Sequence, residues 1–362
     1  MRAAEPLPTE GNVATSRDAR ILAIATAVPP FELDQADVMR RLELALGPNS
    51  REIVRLLPMF GNTGIDRRYS CVPIEWYERL HEWPERNQVY LDSAIDLLEK
   101  ATRRVLDRAG RTPEEIDAIV VVSTTGIATP SLDAVLMERM GLRRNVARLP
   151  IFGLGCAGGA IGLARAAAIA RTQPGGLVLF LVVELCALWF RRDDFSKSNI
   201  VATALFGDGA AAALISSECD GAKIVGSGEY TWPDSLDVMG WEVTSEGLKA
   251  IFSRDIPELV TTQLRDVAVE FLALRGLTLR DVDAFICHPG GAKVLDALEV
   301  AFELERGALE TAREVLRDYG NMSAATVMFV LEQAIADSRP WKRALVSALG
   351  PGFTVGFTLL ER

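Results

Sequence analysis

Three residues of the 362-residue chain stand where their types and neighbours permit chemistry: Cys156, His288 and Asn321. Cys156 follows Gly155 and opens a run of Gly and Ala that reads as a helix, so its thiol falls at a helix N-terminus. A helix N-terminus and a nearby imidazole each favour thiolate over thiol. His288 ends an apolar, strand-like segment and is followed by Pro289, Gly290 and Gly291. Asn321 follows Gly320 at the start of another helical stretch, where a carboxamide acts as a neutral donor. Brought together, the three would supply a nucleophile, its partner base and a donor for a developing oxyanion. Taken singly, each has a plain structural explanation: a packed core thiol, a strand-end histidine, a helix cap. Cys71, Cys186, Cys219 and Cys287 lack the same setting, and Cys287 must face away from its strand neighbour His288.

The case for bringing them together rests on an internal duplication. The segment "VLDRAGRTPEEIDAIVVVS" (105–123) resembles "FLALRGLTLRDVDAFICHP" (271–289), each a helix end, a turn, and a strand beginning near Asp117 or Asp283. After each copy, "GCAGGAIG" at 155–162 parallels "GNMSAATV" at 320–327, and "GDGAAAALI" at 207–215 parallels "GPGFTVGFTL" at 350–359. Three correspondences in the same order predict two α/β halves, 19–218 and 219–362, after a loose tail over residues 1–18. The helix after Cys156 carries almost no side-chain bulk. Glycine inside a helix costs about 1 kcal/mol against Ala, so close approach of another helix or strand is expected there. Leu177–Val183 is apolar without alternation, as in a parallel strand covered on both faces. The expected fold is therefore layered α/β, an αβαβα arrangement with two central buried helices.

Composition removes several classes of function. Net charge is −10, which argues against non-specific nucleic-acid binding and anionic membrane surfaces. Hydrophobic residues make up 49%, enough for a large core, yet no apolar run reaches the length of a membrane span. Five scattered cysteines without CxxC spacing fit reduced thiols in the cytoplasm better than a disulfide framework or a zinc site. With only His81 and His288 present, a histidine-rich metal site is excluded.

The motifs "GLGCAGG" (153–159), "LFGDGAAAALI" (205–215), "HPGG" (288–291), "GNMSAATVMFVLE" (320–332) and "GPGF" (350–353) resemble those of chalcone-synthase-type, or type III, polyketide synthases. The resemblance runs from about residue 19 to the C-terminus. It implies a thiolase fold, a homodimer, a Cys156-His288-Asn321 triad, and iterative decarboxylative condensation of malonyl-CoA onto an acyl-CoA starter without a cofactor. It also implies that Phe206 is a gatekeeper and that the Gly350-Pro351-Gly352 loop shapes a cyclisation cavity. Thr125, Thr129, Cys186 and Trp189 resemble wall positions. Ala250 stands where plant enzymes carry a second gatekeeper Phe, and Trp189 where they carry a small hydroxyl residue. An open wall at Ala250 and Cys186 favours a fatty acyl starter and an alkylpyrone or alkylresorcinol product.

CoA brings three phosphoryl groups to an acidic protein, so cations are expected at the tunnel mouth. By resemblance these are Arg55, Arg67 and Arg68, with Arg51 beside them, and Gly290, Gly291 and Lys293 after the histidine. Pro58 and Asn62 stand where plant enzymes have a further basic pair. The nearest rival is a ketoacyl synthase III using an acyl carrier protein, but such enzymes follow the histidine with Gln-Ala-Asn rather than Pro289-Gly290-Gly291. A thiolase would need a second cysteine near the C-terminus, and none follows Cys287. Papain-like proteases use the same three residue types in the same chain order but in other local sequence.

Overall fold

The computed structural model describes residues 18–46, 57–192, 194, 196–253 and 255–362. Its strands are β1 (Ala19–Ala27), β2 (Phe31–Asp34), β3 (Arg67–Ser70), β4 (Ile116–Val122), β5 (Ala147–Ile151), β6 (Leu177–Leu185), β7 (Asp208–Ser216), β8 (Ala222–Thr231), β9 (Met239–Thr244), β10 (Gly247–Phe252), β11 (Ala284–Cys287), β12 (Arg343–Gly350) and β13 (Thr354–Glu361). The helices are α1 (Gln35–Leu46), α2 (Trp83–Ala109), α3 (Leu132–Met140), α4 (Gly158–Thr172), α5 (Lys197–Leu205), α6 (Ile256–Leu259), α7 (Arg265–Ala273), α8 (Ala292–Ala301), α9 (Glu310–Tyr319) and α10 (Ala324–Ala336).

β6 explains the layering. All nine of its residues are buried, because the two faces it alternates between are both covered. Leu177, Leu179, Leu181 and Val183 join the core under α2, with Tyr90, Leu98 and Val105. Val178, Phe180 and Val182 join the opposite core, with α4 and α10. The strand order β1-β7-β6-β4-β5 in the first half is repeated by β8-β13-β12-β11 in the second. The two runs are not separate sheets. They are hydrogen-bonded into one nine-stranded series through three residue pairs of β1 and β8, centred on Arg20 and Lys223.

The duplication extends to its small parts. Thr112 and Glu115 form a reciprocal capping box before β4, and Thr278 and Asp281 form the same box before β11. Asp117 accepts from the Leu177 amide at 2.8 Å, and Asp283 accepts from the Arg343 amide at 2.8 Å. Each carboxylate thus ties one strand of its half to the start of another.

α4 and α10 lie at the centre, both buried and in contact. A Cβ on Gly159 would overlap the Ala324 carbonyl oxygen and the Val327 side chain, and one on Gly162 would sit 2.6 Å from the Phe180 ring. The glycines expected to admit a close neighbour therefore do so against a helix on one side and β6 on the other.

Candidate active site

Cys156 lies in a single 3-10 turn, Gly155–Ala157, that leads directly into α4. His288 follows the last residue of β11, and its backbone amide donates to Ser347 O at 2.8 Å, holding it to β12. Asn321 lies three residues before α10 rather than on it. Its backbone pairs with Phe206: Asn321 N donates to Leu205 O at 2.8 Å and Gly207 N to Asn321 O at 3.0 Å. The Asn321 side chain is also held, donating Nδ2 to Gly290 O at 3.2 Å and accepting the Ser323 amide at 2.8 Å. Cys156, His288 and Asn321 all line one cavity of about 610 Å³.

The electrostatics of this cavity are set by burial. Burial pushes the Cys156 thiol up to about 12, against a pull downward from the Ser323 hydroxyl, whose Oγ lies 3.5 Å from Sγ. It pushes the His288 imidazole down to about 3, and neither ring nitrogen has a hydrogen-bond partner among the described residues. A lone thiolate and a lone imidazolium are thus both disfavoured. Moving the thiol proton to the imidazole creates two buried charges at once, so it is favoured only as far as their mutual attraction offsets the desolvation of each. Burial thus acts against the low-pKa thiol expected from sequence, pushing the thiol up and the imidazole down. Behind Ser323 lies the fully buried Glu184, raised by burial to about 8 and held by the Thr124 amide at 3.0 Å and the Thr125 hydroxyl at 2.8 Å.

A second cavity, of about 400 Å³, lies across α5. Cys186, Trp189, Phe206 and Ala250 line it, with Arg68 and Tyr77. Val201 and Leu205 of α5 face the Cys156 cavity, whereas Asn199, Ala202 and Thr203 face this one. The wall between is aromatic, with Phe206 5.6 Å from Phe252 and 5.7 Å from Trp241. The space expected at Ala250 is partly closed by Trp241, its direct partner across the β9–β10 hairpin.

Other expected residues fall elsewhere. Gly290, Gly291 and Lys293 line the Cys156 cavity. Arg68 does not reach solvent: it is buried, donates to the Phe206 carbonyl at 2.8 Å, and is drawn down to about 10 by desolvation. It clamps the α5–β7 connection rather than binding a phosphate. Arg67 is exposed and lies 3.6 Å from Asp318, away from both cavities. Thr125 is fully buried, its hydroxyl spent on Glu184 and the Leu185 amide, and Thr129 is exposed, and neither lines either of these two cavities. Gly350, Pro351 and Gly352 line neither cavity and instead abut the nucleophile turn, where a Cβ on Gly155 would be 2.5 Å from the Pro351 ring. Arg51 and Arg55 lie outside the described residues.

Family models for chalcone and stilbene synthases match nearly the whole chain, the N-terminal domain over residues 9–219 and the C-terminal domain over 224–361. The chain belongs to the chalcone and stilbene synthase family. It is 38% identical over 350 residues to a putative chalcone synthase of Bacillus subtilis, covering 92% of this chain and 96% of that one. It is 38% identical over 364 residues to a 1,3,6,8-tetrahydroxynaphthalene synthase of Streptomyces peucetius, covering 97% and 95%. The crystal structure of the Streptomyces coelicolor tetrahydroxynaphthalene synthase, a bacterial type III polyketide synthase, superposes with a TM-score of 0.89 at 27% identity, covering 94% and 99%. The layered, duplicated architecture is accordingly the thiolase fold, and the protein is a condensing acyltransferase of the type III polyketide synthase class.

Within this synthase, Trp241, Phe252, Ser323 and Lys197 were not found as site residues from sequence. Trp241 and Phe252 depend on hairpin register, which carries no local signal. Ser323 had one: it follows the duplicated "GN" pair at a helix start, where a hydroxyl is a natural cap.

Proposed function

We propose that this type III polyketide synthase loads a fatty acyl group from CoA onto Cys156, extends it with malonyl-CoA, and releases an alkylpyrone or alkylresorcinol. His288 accepts the thiol proton during loading. The carboxamide of Asn321 and the imidazole of His288 then stabilise the enolate oxygen formed when malonyl-CoA loses carbon dioxide, a contribution of ~10²–10³ in rate per donor. The carbanion attacks the Cys156 thioester, a carbon–carbon bond forms, and the thiolate leaves to take the next acyl group. No cofactor is called for by this sequence of steps.

The observation that supports a long starter is the apolar chamber behind Phe206, lined by Cys186, Ala250 and Trp189. Phe252, half-buried, lines the Cys156 cavity with its ring 5.6 Å from Phe206, which lines the other. The test is a panel of starters from acetyl-CoA and small aromatic thioesters to C8–C16 acyl-CoAs, read by product mass. Turnover confined to small starters would overturn it. Ala250→Phe should fill the chamber and remove long-chain products first. The similarity to tetrahydroxynaphthalene synthases favours a second reading, in which the chamber holds the growing chain. A polycyclic product from malonyl-CoA alone would select it.

The same reading includes a homodimer in the cytoplasm and halves dividing near residues 218 and 219. Support for the dimer is the edge strand β5, whose outer side is unpaired among the described strands and leads into Phe152, 63% exposed. Among the described residues no helix is long and apolar enough to cross a membrane, and no cluster of three potential metal ligands is present.

A further inference from the structure

We infer that the ion pair between Arg191 and Glu246 limits the length of acyl chain this enzyme carries, by holding the β9–β10 hairpin over the chamber behind Phe206. The inference rests on the proposed use of that chamber for an acyl chain and names what sets its width. Both are positioning residues. Neither lines a cavity, and they act through Trp241 and Ala250, which do.

β9 and β10 pair only with each other and share no ladder with the nine-stranded sheet. A two-stranded hairpin is marginal on its own, so side-chain contacts must set its place over the chamber. Towards its base, Trp241 and Phe252 lie against Phe206, and Ser253 N donates to Val238 O at 2.8 Å. At its tip, Gly247 lies under the Trp189 ring, which a Cβ there would overlap, and Glu246 pairs with Arg191.

Both ends of this ion pair are anchored. The Thr244 hydroxyl braces the tip, accepting the Glu246 amide at 3.2 Å and donating to the Gly247 carbonyl at 3.0 Å. Asn199 of α5 clamps Arg191, whose amide donates to Oδ1 at 3.2 Å and whose carbonyl accepts from Nδ2 at 2.7 Å. Asn199 itself lines the chamber. The Arg191 side chain is 16% exposed, and Glu246 is its one ion-pair partner among the described residues. Among those residues no backbone hydrogen bond joins the hairpin to α5 or to the turn before it. The ion pair therefore links two walls of the chamber that the main chain leaves independent. Trp241 and Ala250 face each other three ladder pairs from the tip pair of Thr244 and Gly247, about 10 Å along the strands. A tip released from Arg191 carries that wall away from Phe206 and widens the chamber.

The experiment measures kcat/KM and product mass with acetyl-CoA and with C8 and C16 acyl-CoAs. Glu246→Gln should raise the preference for C16 over C8 about threefold, the scale of a partly exposed ion pair. It should leave kcat/KM for acetyl-CoA and the denaturation midpoint unchanged. Arg191→Glu, which sets like charges against each other, should move the preference further. The exchange Arg191→Glu with Glu246→Arg should return it to that of the parent, which a loss of general packing would not allow. An unchanged preference in Glu246→Gln, or an exchange that fails to restore it, would overturn the assignment. A parent that takes no long starter sinks the fatty acyl reading and not this one. Glu246→Gln should then raise the number of malonyl units added before release, and an unchanged number refutes the role of the pair.

Discussion

At the two positions related by the duplication, Cys156 and Asn321, the backbone is treated differently. Cys156 is reached through Gly155 at φ 47° and passes at once into α4, and among the described residues its side chain has a single side-chain hydrogen-bond partner, Ser323. Asn321 is reached through Gly320 at φ 68°, is bonded to the α5–β7 connection on both sides of its peptide, and has both side-chain ends engaged. Ser323 then adopts φ 48° and ψ −129° before α10 begins, a conformation that costs a non-glycine residue about 1–3 kcal/mol. Under the proposed mechanism, one copy of the motif leaves its functional group free to gain and lose an acyl group. The other fixes its group in advance, which is what a donor to a transient oxyanion requires. The division of labour lies in the constraint applied to each copy as much as in its residue type.

That contrast is open to direct attack. Cys156→Ala should abolish polyketide formation, a loss of at least about 10³-fold, while malonyl-CoA decarboxylation persists, because the donors lie in the other half. Loss of both activities would break the comparison. Asn321→Ala should reduce decarboxylation by about 10²–10³ and leave acyl transfer to Cys156 close to normal, measured by acyl-enzyme mass. His288→Gln removes the proton acceptor proposed for loading and leaves the thiol to the upward push of burial alone. A thiol so raised becomes thiolate only in strongly alkaline solution. Alkylation of Cys156 by iodoacetamide should therefore shift several pH units alkaline in the variant, and superimposable profiles would refute transfer to His288. Gly159→Val tests the frame itself. Its side chain has no room against Ala324 and Val327, so a loss of about 3 kcal/mol is expected, read as a lowered denaturation midpoint. The smallest effect belongs to Arg67→Ala, whose KM for malonyl-CoA should stay within about twofold of the parent.

Much of the frame was legible because it depends on local rules. The bulk-free helix after Cys156 announced a close neighbour, and α10 with β6 supplies it. The repeated turn before each strand announced the duplication, and the two capping boxes are its physical content. The assignment of Arg68 failed because a pair of adjacent arginines reads as one basic patch. In β3 they alternate, Arg67 out and Arg68 in, as the pleat of any strand demands. The cavity wall was hidden for another reason. Trp241 and Ala250 are opposed only once β9 and β10 pair, so the consequence of a missing ring at 250 cannot be read without the register. The upward push on the thiol was not legible, because a helix N-terminus is visible in sequence and desolvation is not.

Because the Pro351 ring rests on the Cα of Gly155, the turn that bears the nucleophile and the loop after β12 form one mechanical unit. A substitution that reshapes that loop will also tilt the sulfur, so product outcome and loading rate should drift together along any lineage that alters it. Diversity of product is more freely obtained from the opposite wall, at the β9–β10 hairpin, where a ring can be enlarged or trimmed with the reacting thiol left undisturbed.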